Sequence, residues 1–434
     1  MKISFPLREG SLGRNASWMF LGQGLSVFVQ AAYFILLARL LGSNQYGIFV
    51  GAMALVSIVS QYSSLGSGFV MLRHVSQDKK QFAEYWGNVI LTTLVVGSLM
   101  ILALKLSGTF LVGAASASVL VLIAIGECTC ARLSECAGQA FQAHENLRIT
   151  ATLTTLTNVA RLAAAGGMTV YLHHATVHQW AIASVSVSLF SAIIAVIVVC
   201  TRLGMPRFRP GLLVKSAAEG LGFSFACSTT SVYNDIDKTM LSRYGMAAAN
   251  GIYSMAYRVV DISCVPIRSV HSAAFPRFCQ KGVNGVRGNI EFARKIIQKT
   301  IPFAMLAAAG MFLCAPLIPL VIGKGFEESV SALRWLCLIP LFRSLHLSAG
   351  DSLTGAGYQR YRTGSQVAAA GLNFCMNLYL IPAFSWRGAA WASLLTDGFL
   401  AVSNWTVLAV IARREKAFAE GSGCLTEKSA AEMA

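Results

Sequence analysis

Five residues of one apolar segment have types and spacing suited to holding an anion. Ser254, Arg258, Asp261, Arg268 and Ser272, set at about 100° per residue, fall within about 80° of helical arc. A guanidinium presents a planar fork that meets two phosphate oxygens at once. The stripe admits two readings: a phosphate-binding face, or an Arg258–Asp261 pair that ties helices together while Arg268 reaches toward an interface. Pro266 predicts a kink between the two halves of the stripe. Arg161 and Arg343 are further cations in apolar surroundings, each able to contact a phosphate or to pair structurally. Asp235, Asp237 and Lys238 close a polar row that begins at Ser224, Ser228 and Ser231; they suit a gate, an ion site or an interfacial salt-bridge cluster. Asp397, with Ser393 and Asn404 on one face of the last apolar run, is a second candidate for ion coupling.

Bond-making chemistry has no comparable support. The sequence holds no phosphate-binding loop of the ATPase type, no His-Glu-x-x-His and no Gly-x-Ser-x-Gly. Most of the 11 cysteines lie in apolar runs, where a thiol behaves as a small hydrophobe. Cys128 and Cys130 lack a second ligand pair, and His173, His174 and His178 read as a short interface loop, so neither a metal nor a cofactor is expected.

The elements that position these charges are membrane helices. Of 434 residues 55% are hydrophobic and only 12% charged, against about 25% charged in a soluble domain, and the mean hydropathy is +0.60. The first apolar run, Arg14 to Arg39, is too long for a signal peptide's core and reads as a membrane helix. Windows of about 20 residues place spans near 15–38, 46–67, 86–106, 109–128, 150–172, 180–200, 217–238, 246–270, 299–322, 329–350, 363–383 and 388–411. With that alternation 24 of the 35 Lys and Arg fall on the side of the N-terminus, six on the other, and five within spans. The net charge of +16 therefore lies in short loop clusters that orient helices and meet anionic headgroups, a pattern that excludes nucleic acid as the partner.

A weak repeat supports two six-helix halves. Gly42-Ser-Asn-Gln-Tyr-Gly-Ile-Phe49 follows the first span, and Gly245-Met-Ala-Ala-Ala-Asn-Gly-Ile-Tyr253 follows the seventh. Transporters commonly place a substrate between such halves. The expected organisation is an N-terminal lobe over 1–200, a basic linker over 201–215, a C-terminal lobe over 216–412, and an unstructured polar tail over 413–434.

Several segments resemble bacterial polysaccharide transporters, the repeat-unit flippases of the multidrug/oligosaccharidyl-lipid/polysaccharide exporter superfamily. They are Ala38-Arg-Leu-Leu-Gly-Ser-Asn-Gln-Tyr-Gly47, Asp235-Ile-Asp-Lys-Thr-Met-Leu241, Gly251-Ile-Tyr-Ser-Met-Ala-Tyr-Arg258, Leu353-Thr-Gly-Ala-Gly357, and Asn377-Leu-Tyr-Leu-Ile-Pro382 with Gly388-Ala-Ala-Trp-Ala-Ser393. The sequence departs from the family at Ala383-Phe-Ser-Trp-Arg387, where a Gly-rich turn is usual. The resemblance implies an all-α polytopic membrane protein of about twelve helices, in two six-helix lobes around a central cavity. It implies movement of undecaprenyl-pyrophosphate-linked oligosaccharides from the cytoplasmic to the periplasmic leaflet of a bacterial inner membrane, for O-antigen or exopolysaccharide synthesis. A polymerase and a chain-length regulator would act on the product. The alternatives within the superfamily are an ion-coupled multidrug antiporter and a lipid II flippase. A membrane glycosyltransferase or polymerase would need a large outer loop, which the spacing of the apolar runs does not leave.

The charge bias predicts where reporter fusions read out. Fusions after Ala412 and within Thr201–Lys215 should report the cytoplasm, and a fusion at Gly323 the periplasm; a periplasmic readout after Ala412 would overturn the even span count.

Overall fold

The computed structural model describes residues 12–172, 175–283 and 285–432; His173 and His174 lie outside them. Among the described residues there is no strand. The helices are α1 (Leu12–Ser60), α2 (Ser67–Gln77), α3 (Phe82–Ile125), α4 (Arg132–Ala143), α5 (Leu147–Tyr171), α6 (Val177–Arg202), α7 (Pro210–Arg243) and α8 (Ala247–Ser263). They continue as α9 (Val265–Gly282), α10 (Val286–Cys314), α11 (Leu317–Ile322), α12 (Ser329–Leu336), α13 (Ile339–Gly355), α14 (Gln359–Phe384) and α15 (Trp386–Glu432). A π-helical segment, Gly126–Ala131, joins α3 to α4. The polar segment after Arg413 continues α15 as helix to Glu432.

Backbone breaks divide this run into passes. Residues with positive φ stand at Gly42, Leu65, Gly66, Gly113, Glu145, Gly204, Gly245, Gly285, Gly323, Gly357 and Ser385, and extended residues at Asp78 and Leu172. With the turn at Leu65–Gly66, which separates α1 from α2, counted inside one pass, these cuts leave twelve helical stretches among the described residues, in the order of the expected spans. One boundary moves. A break was expected between residues 106 and 109, yet α3 runs on to Gly113 (φ 74, ψ 163). Ser107 returns its hydroxyl to the Ala103 carbonyl at 2.8 Å, so its polarity is satisfied without ending the helix.

Six of these helical runs are long and apolar enough to cross a membrane, or seven with the bent α12–α13 pair. One of them, Lys79–Ala143, is 65 residues long and holds two passes. Besides the short α2 and α11, the helices outside that set are α5, α7 and the α8–α9 pair. They are the helices that carry Arg161, then Asp235, Asp237 and Lys238, then Arg258, Asp261 and Arg268. Charge at membrane depth is costly and turns a helix inward, so several of the candidate residues lie on the passes hardest to find by hydropathy, while Arg343 and Asp397 lie on α13 and α15. The α8–α9 division falls at Cys264, with Pro266 in the first turn of α9, where the sequence predicts a kink.

The chain divides into two compact units. One takes the described residues up to Ser231 with Lys238–Gly251 and Val321–Gly323; the other takes Val232–Asp237, Ile252–Leu320 and the residues from Lys324 on. Within the first unit, only 203–209 of the basic linker lies outside helix. It is pinned to the start of α3: Arg207 N donates to Ala83 O at 2.8 Å and Arg209 Nη1 to Glu84 Oε2 at 2.9 Å. In the second unit, Glu415 accepts from Val286 N at 3.0 Å and from Tyr358 Oη at 3.2 Å, capping α10 with α15. Burial, and then the Glu415 carboxylate, pushes the Tyr358 phenol up from its ordinary pKa.

The repeated segments meet inside the first unit. A Cβ on Gly47 would stand 1.7 Å from the Ala247 carbonyl oxygen, and one on Gly251 would stand 2.0 Å from the Ser43 carbonyl oxygen. Asn250 Nδ2 adds a 3.0 Å bond to Gly47 O. Small residues that let two backbones touch are the usual means of helix association in lipid, where hydrophobic burial supplies no drive. The Gly-rich turn missing near residue 385 also shows its effect: Ser385 takes φ 55, ψ −134, a conformation costing about 1–3 kcal/mol outside glycine.

The Gly47–Gly251 contact leaves no room for a side chain. Gly251→Val should lower the amount of folded, monodisperse protein extracted from membranes, as overpacking costs about 1–3 kcal/mol or more. Gly371→Val on α14, where a Cβ meets nothing within 4 Å, should elute and melt as the unsubstituted protein does.

Candidate functional site

In the second unit α13 brings Arg343 to the carboxylate of Asp261 on α8. Arg343 Nη1 donates to Asp261 Oδ1 at 2.9 Å; Nη2 donates to Tyr257 Oη at 2.8 Å and to Asn234 Oδ1 at 3.3 Å. Its carbon Cζ lies 5.6 Å from the Tyr257 ring centroid. The Arg343 side chain is 9% exposed and Asp261 31%. Arg268 reaches the same residue from α9: its Nη2 donates to the Asp261 main-chain carbonyl at 2.9 Å, and its Nη1 stands 3.9 Å from Oδ1 of the carboxylate. Arg258 lies half-buried on α8, three residues before Asp261. Three of the expected substrate residues, Asp261, Arg268 and Arg343, are thus gathered at one place, from helices far apart in sequence. Asp261 is shared between two arginines, a geometry that the helical spacing to Arg258 alone does not suggest.

The candidate gate residues separate. Asp237 is fully buried, and its Oδ2 accepts from Tyr253 Oη and from Ser393 Oγ, the latter at 3.0 Å. Asp397 faces His346, with Nε2 3.5 Å from Oδ1, both side chains buried. Asp235 is half-buried on α7. Lys238 is buried and belongs to the first unit, where its carbonyl accepts from Asn250 Nδ2 at 3.0 Å.

Arg161 also lies in the first unit. Its Nη2 donates to Glu127 Oε1 at 2.9 Å and to Ser188 Oγ at 3.4 Å. The pair opens on a cavity of about 470 Å³ whose wall includes Glu135, Gln139, Thr154 and Asn158. Glu127 stands in the π-helical segment, a local widening of the helix common at functional sites.

Sequence reasoning missed Glu127, Tyr253, Tyr257, Asn234 and His346. Glu127 left a signal, being the first acidic residue after a long apolar run. The others are polar residues of ordinary kinds on apolar helices, and only the approach of α13 and α15 gives them partners.

The family model described as "Polysaccharide biosynthesis protein" matches residues 12–281. The protein named "Probable low-salt glycan biosynthesis flippase Agl15", from Haloferax volcanii, is 23% identical over 402 residues, covering 89% of this chain and 81% of that protein. Among solved structures, the lipid II flippase MurJ in an inward closed conformation superposes with a TM-score of 0.74 at 11% identity, over 91% of this chain and 87% of that one. An inward-facing multidrug resistance MATE family transporter of the MOP superfamily gives 0.67 at 11% identity, over 91% and 99%. The chain therefore has the polytopic helical fold of these transporters.

The Asp261 cluster predicts an ordered series of stabilities. Asp261→Ala strands the buried Arg343 charge and should cost toward the low end of the about 3–5 kcal/mol found for broken buried pairs. Arg268→Ala, at a site 46% exposed, should cost well under that, in the range of about 0–1 kcal/mol. Thermal unfolding of the detergent-solubilised variants checks the order, and equal losses would refute it.

Proposed function

The chain belongs to the polysaccharide biosynthesis protein family, and from that premise we propose that it is a flippase for undecaprenyl-pyrophosphate-linked oligosaccharide repeat units. It carries them from the cytoplasmic to the periplasmic leaflet of a bacterial inner membrane, with both of its termini in the cytoplasm. The reading rests on one observation above the others. Arg343 donates to the Asp261 carboxylate, Arg268 donates to the Asp261 main-chain carbonyl, and Arg258 lies one turn away on α8, so guanidinium groups from three helices gather around one residue. An anionic headgroup completes such a cluster, and a cationic drug does not. The Haloferax relative, named as a glycan biosynthesis flippase, supports the same class of cargo.

On this proposal the pyrophosphate competes with Asp261 for the guanidinium groups of Arg258, Arg268 and Arg343, and Asp261 holds them in place when the site is empty. Arg161, balanced by Glu127 beside a cavity rich in hydroxyl and amide groups, suits sugar hydroxyls. Movement breaks no bond of the substrate. Energy comes from an ion gradient or from removal of the product by a polymerase and its chain-length regulator, for O-antigen or exopolysaccharide. Asp235, Asp237, Lys238 and Asp397 are the groups available for gating or ion coupling. The buried Asp397–His346 pair favours a second reading, an ion-coupled multidrug antiporter, because a carboxylate that exchanges a cation is what such an antiporter needs. A lipid II flippase would use the same pyrophosphate chemistry.

Deleting the gene should leave lipid-linked repeat units on the cytoplasmic face and abolish surface polymer while repeat-unit synthesis continues. Arg258→Ala should fail to restore export at normal membrane abundance, and Arg258→Lys should restore part, since a lysine keeps the charge and loses the fork. Normal surface polymer with raised drug sensitivity in the deletion strain would decide for the antiporter.

A further inference from the structure

Away from these clusters, α9 and α10 of the second unit enclose a groove of about 670 Å³. Its wall pairs one face of each helix: Val270, Ala274 and Arg277 on α9, and Phe292, Lys295 and Lys299 on α10. The spacing 292, 295, 299 follows a single helical face. Among the described residues, Arg277, Lys295 and Lys299 make no ion pair or hydrogen bond to any other side chain, and no acidic residue lines the groove. Three exposed cations converge on one concavity without a counter-charge.

What lies along the same helix face decides the class of ligand. Stepping on from Lys299 by four, three and seven residues gives Phe303, Leu306 and Leu313, which are 38%, 70% and 74% exposed. The face therefore changes from cationic to apolar within one turn, at the point where the hydrophobic run of α10 begins. A soluble anion would use the cations and leave the apolar stripe bare. A phospholipid uses both, its phosphodiester at the cations and its acyl chains along Phe303, Leu306 and Leu313. Val270, two turns before Arg277 on α9, then packs beside the glycerol region. Basic pockets between membrane helices at the headgroup level are a recurring way to hold anionic lipid, and long cationic side chains at the end of an apolar run extend toward that level.

We propose that the α9–α10 groove is a binding site for an anionic membrane phospholipid, held by Arg277, Lys295 and Lys299 at its phosphate and by the exposed stripe of α10 along its chains. The site is separate from the Asp261 cluster, and it holds whatever the transported cargo is. A lipid seated there braces the α9–α10 hairpin against the bilayer.

Native mass spectrometry of the full chain, released from detergent and titrated with phosphatidylglycerol, phosphatidylcholine or glycerol 3-phosphate, tests the proposal. The unsubstituted protein should retain phosphatidylglycerol in preference to phosphatidylcholine. Arg277→Gln/Lys295→Gln/Lys299→Gln should weaken phosphatidylglycerol binding roughly 100-fold, from about five-fold per basic side chain near a membrane surface. The control Arg287→Gln/Arg294→Gln/Arg360→Gln removes the same charge from exposed positions outside the groove and should bind as the parent does. Should the first triple variant fold poorly, Lys295→Gln/Lys299→Gln alone should still lose roughly 30-fold by the same measure. Equal losses in variant and control would reduce the effect to net charge and overturn the site. So would undiminished binding by the groove variant, or displacement of the lipid by glycerol 3-phosphate at matching concentration, which would make it a soluble-anion site.

Discussion

An ionised side chain inside a bilayer must find its partner within the protein, because no water stands ready to supply one, and the helical passes of this chain are arranged around that requirement. Arg343 has taken both a carboxylate and two neutral oxygens. Arg161 has taken Glu127 and Ser188, and Asp237 has taken two hydroxyl groups. Each set draws on helices distant in sequence, so each also fixes which helices are neighbours. A polar residue on a membrane helix thus does two things: it spoils that helix as a solitary span, and it specifies the helix it must meet. The passes outside the most apolar set, α5, α7 and α8–α9, each take part in these bonds.

Close backbone contact supplies what hydrophobic burial cannot between helices in hydrocarbon. The Gly47–Gly251 contact is the clearest instance, since the two glycines occupy matching places in the repeated segments. Gly42 and Gly245 both take a positive φ, 68 and 73, at the start of those segments. The turn starts each helix, and five or six residues later the glycine lets it lie against its counterpart. Repetition in the sequence is therefore used twice, once in each half as a turn and once between the halves of the repeat as a contact. Asn250, one residue before Gly251, bonds across the contact to the Gly47 carbonyl and fixes its register.

The order of passes was legible in the sequence because span length and loop charge are set by bilayer thickness and by the cost of moving cations across it. The boundary at Gly113 was not, because Lys105 and Ser107 look like a loop to a hydropathy window. They are in fact accommodated on an exposed helix face, and only the backbone at Gly113 ends the pass. The same division runs through the candidate site. Arg258, Asp261, Arg268 and Arg343 were visible as ionised residues in apolar surroundings, whereas the sharing of Asp261 between Arg268 and Arg343 depends on where α13 packs. Tyr253, Tyr257 and Asn234 carry no charge to mark them. Their oxygens become significant only when a buried charge arrives within 3.3 Å.

The two arginine clusters differ in balance, and the difference bears on what each could exchange. Arg161 has Glu127 at 2.9 Å, with Glu135 also on the cavity wall, so an anion entering there must displace or be repelled by resident carboxylates. A neutral, hydroxyl-rich molecule meets no such opposition. Around Asp261, Arg343 and Arg268 approach one carboxylate at 2.9 and 3.9 Å. On the proposed function an anion there takes over guanidinium donors that Asp261 keeps positioned in its absence. Guanidinium groups already held in place by the protein spare a ligand the cost of ordering them. On the proposed function that positioning is the basis of recognition: the pyrophosphate meets donors whose orientation Asp261 has set in advance.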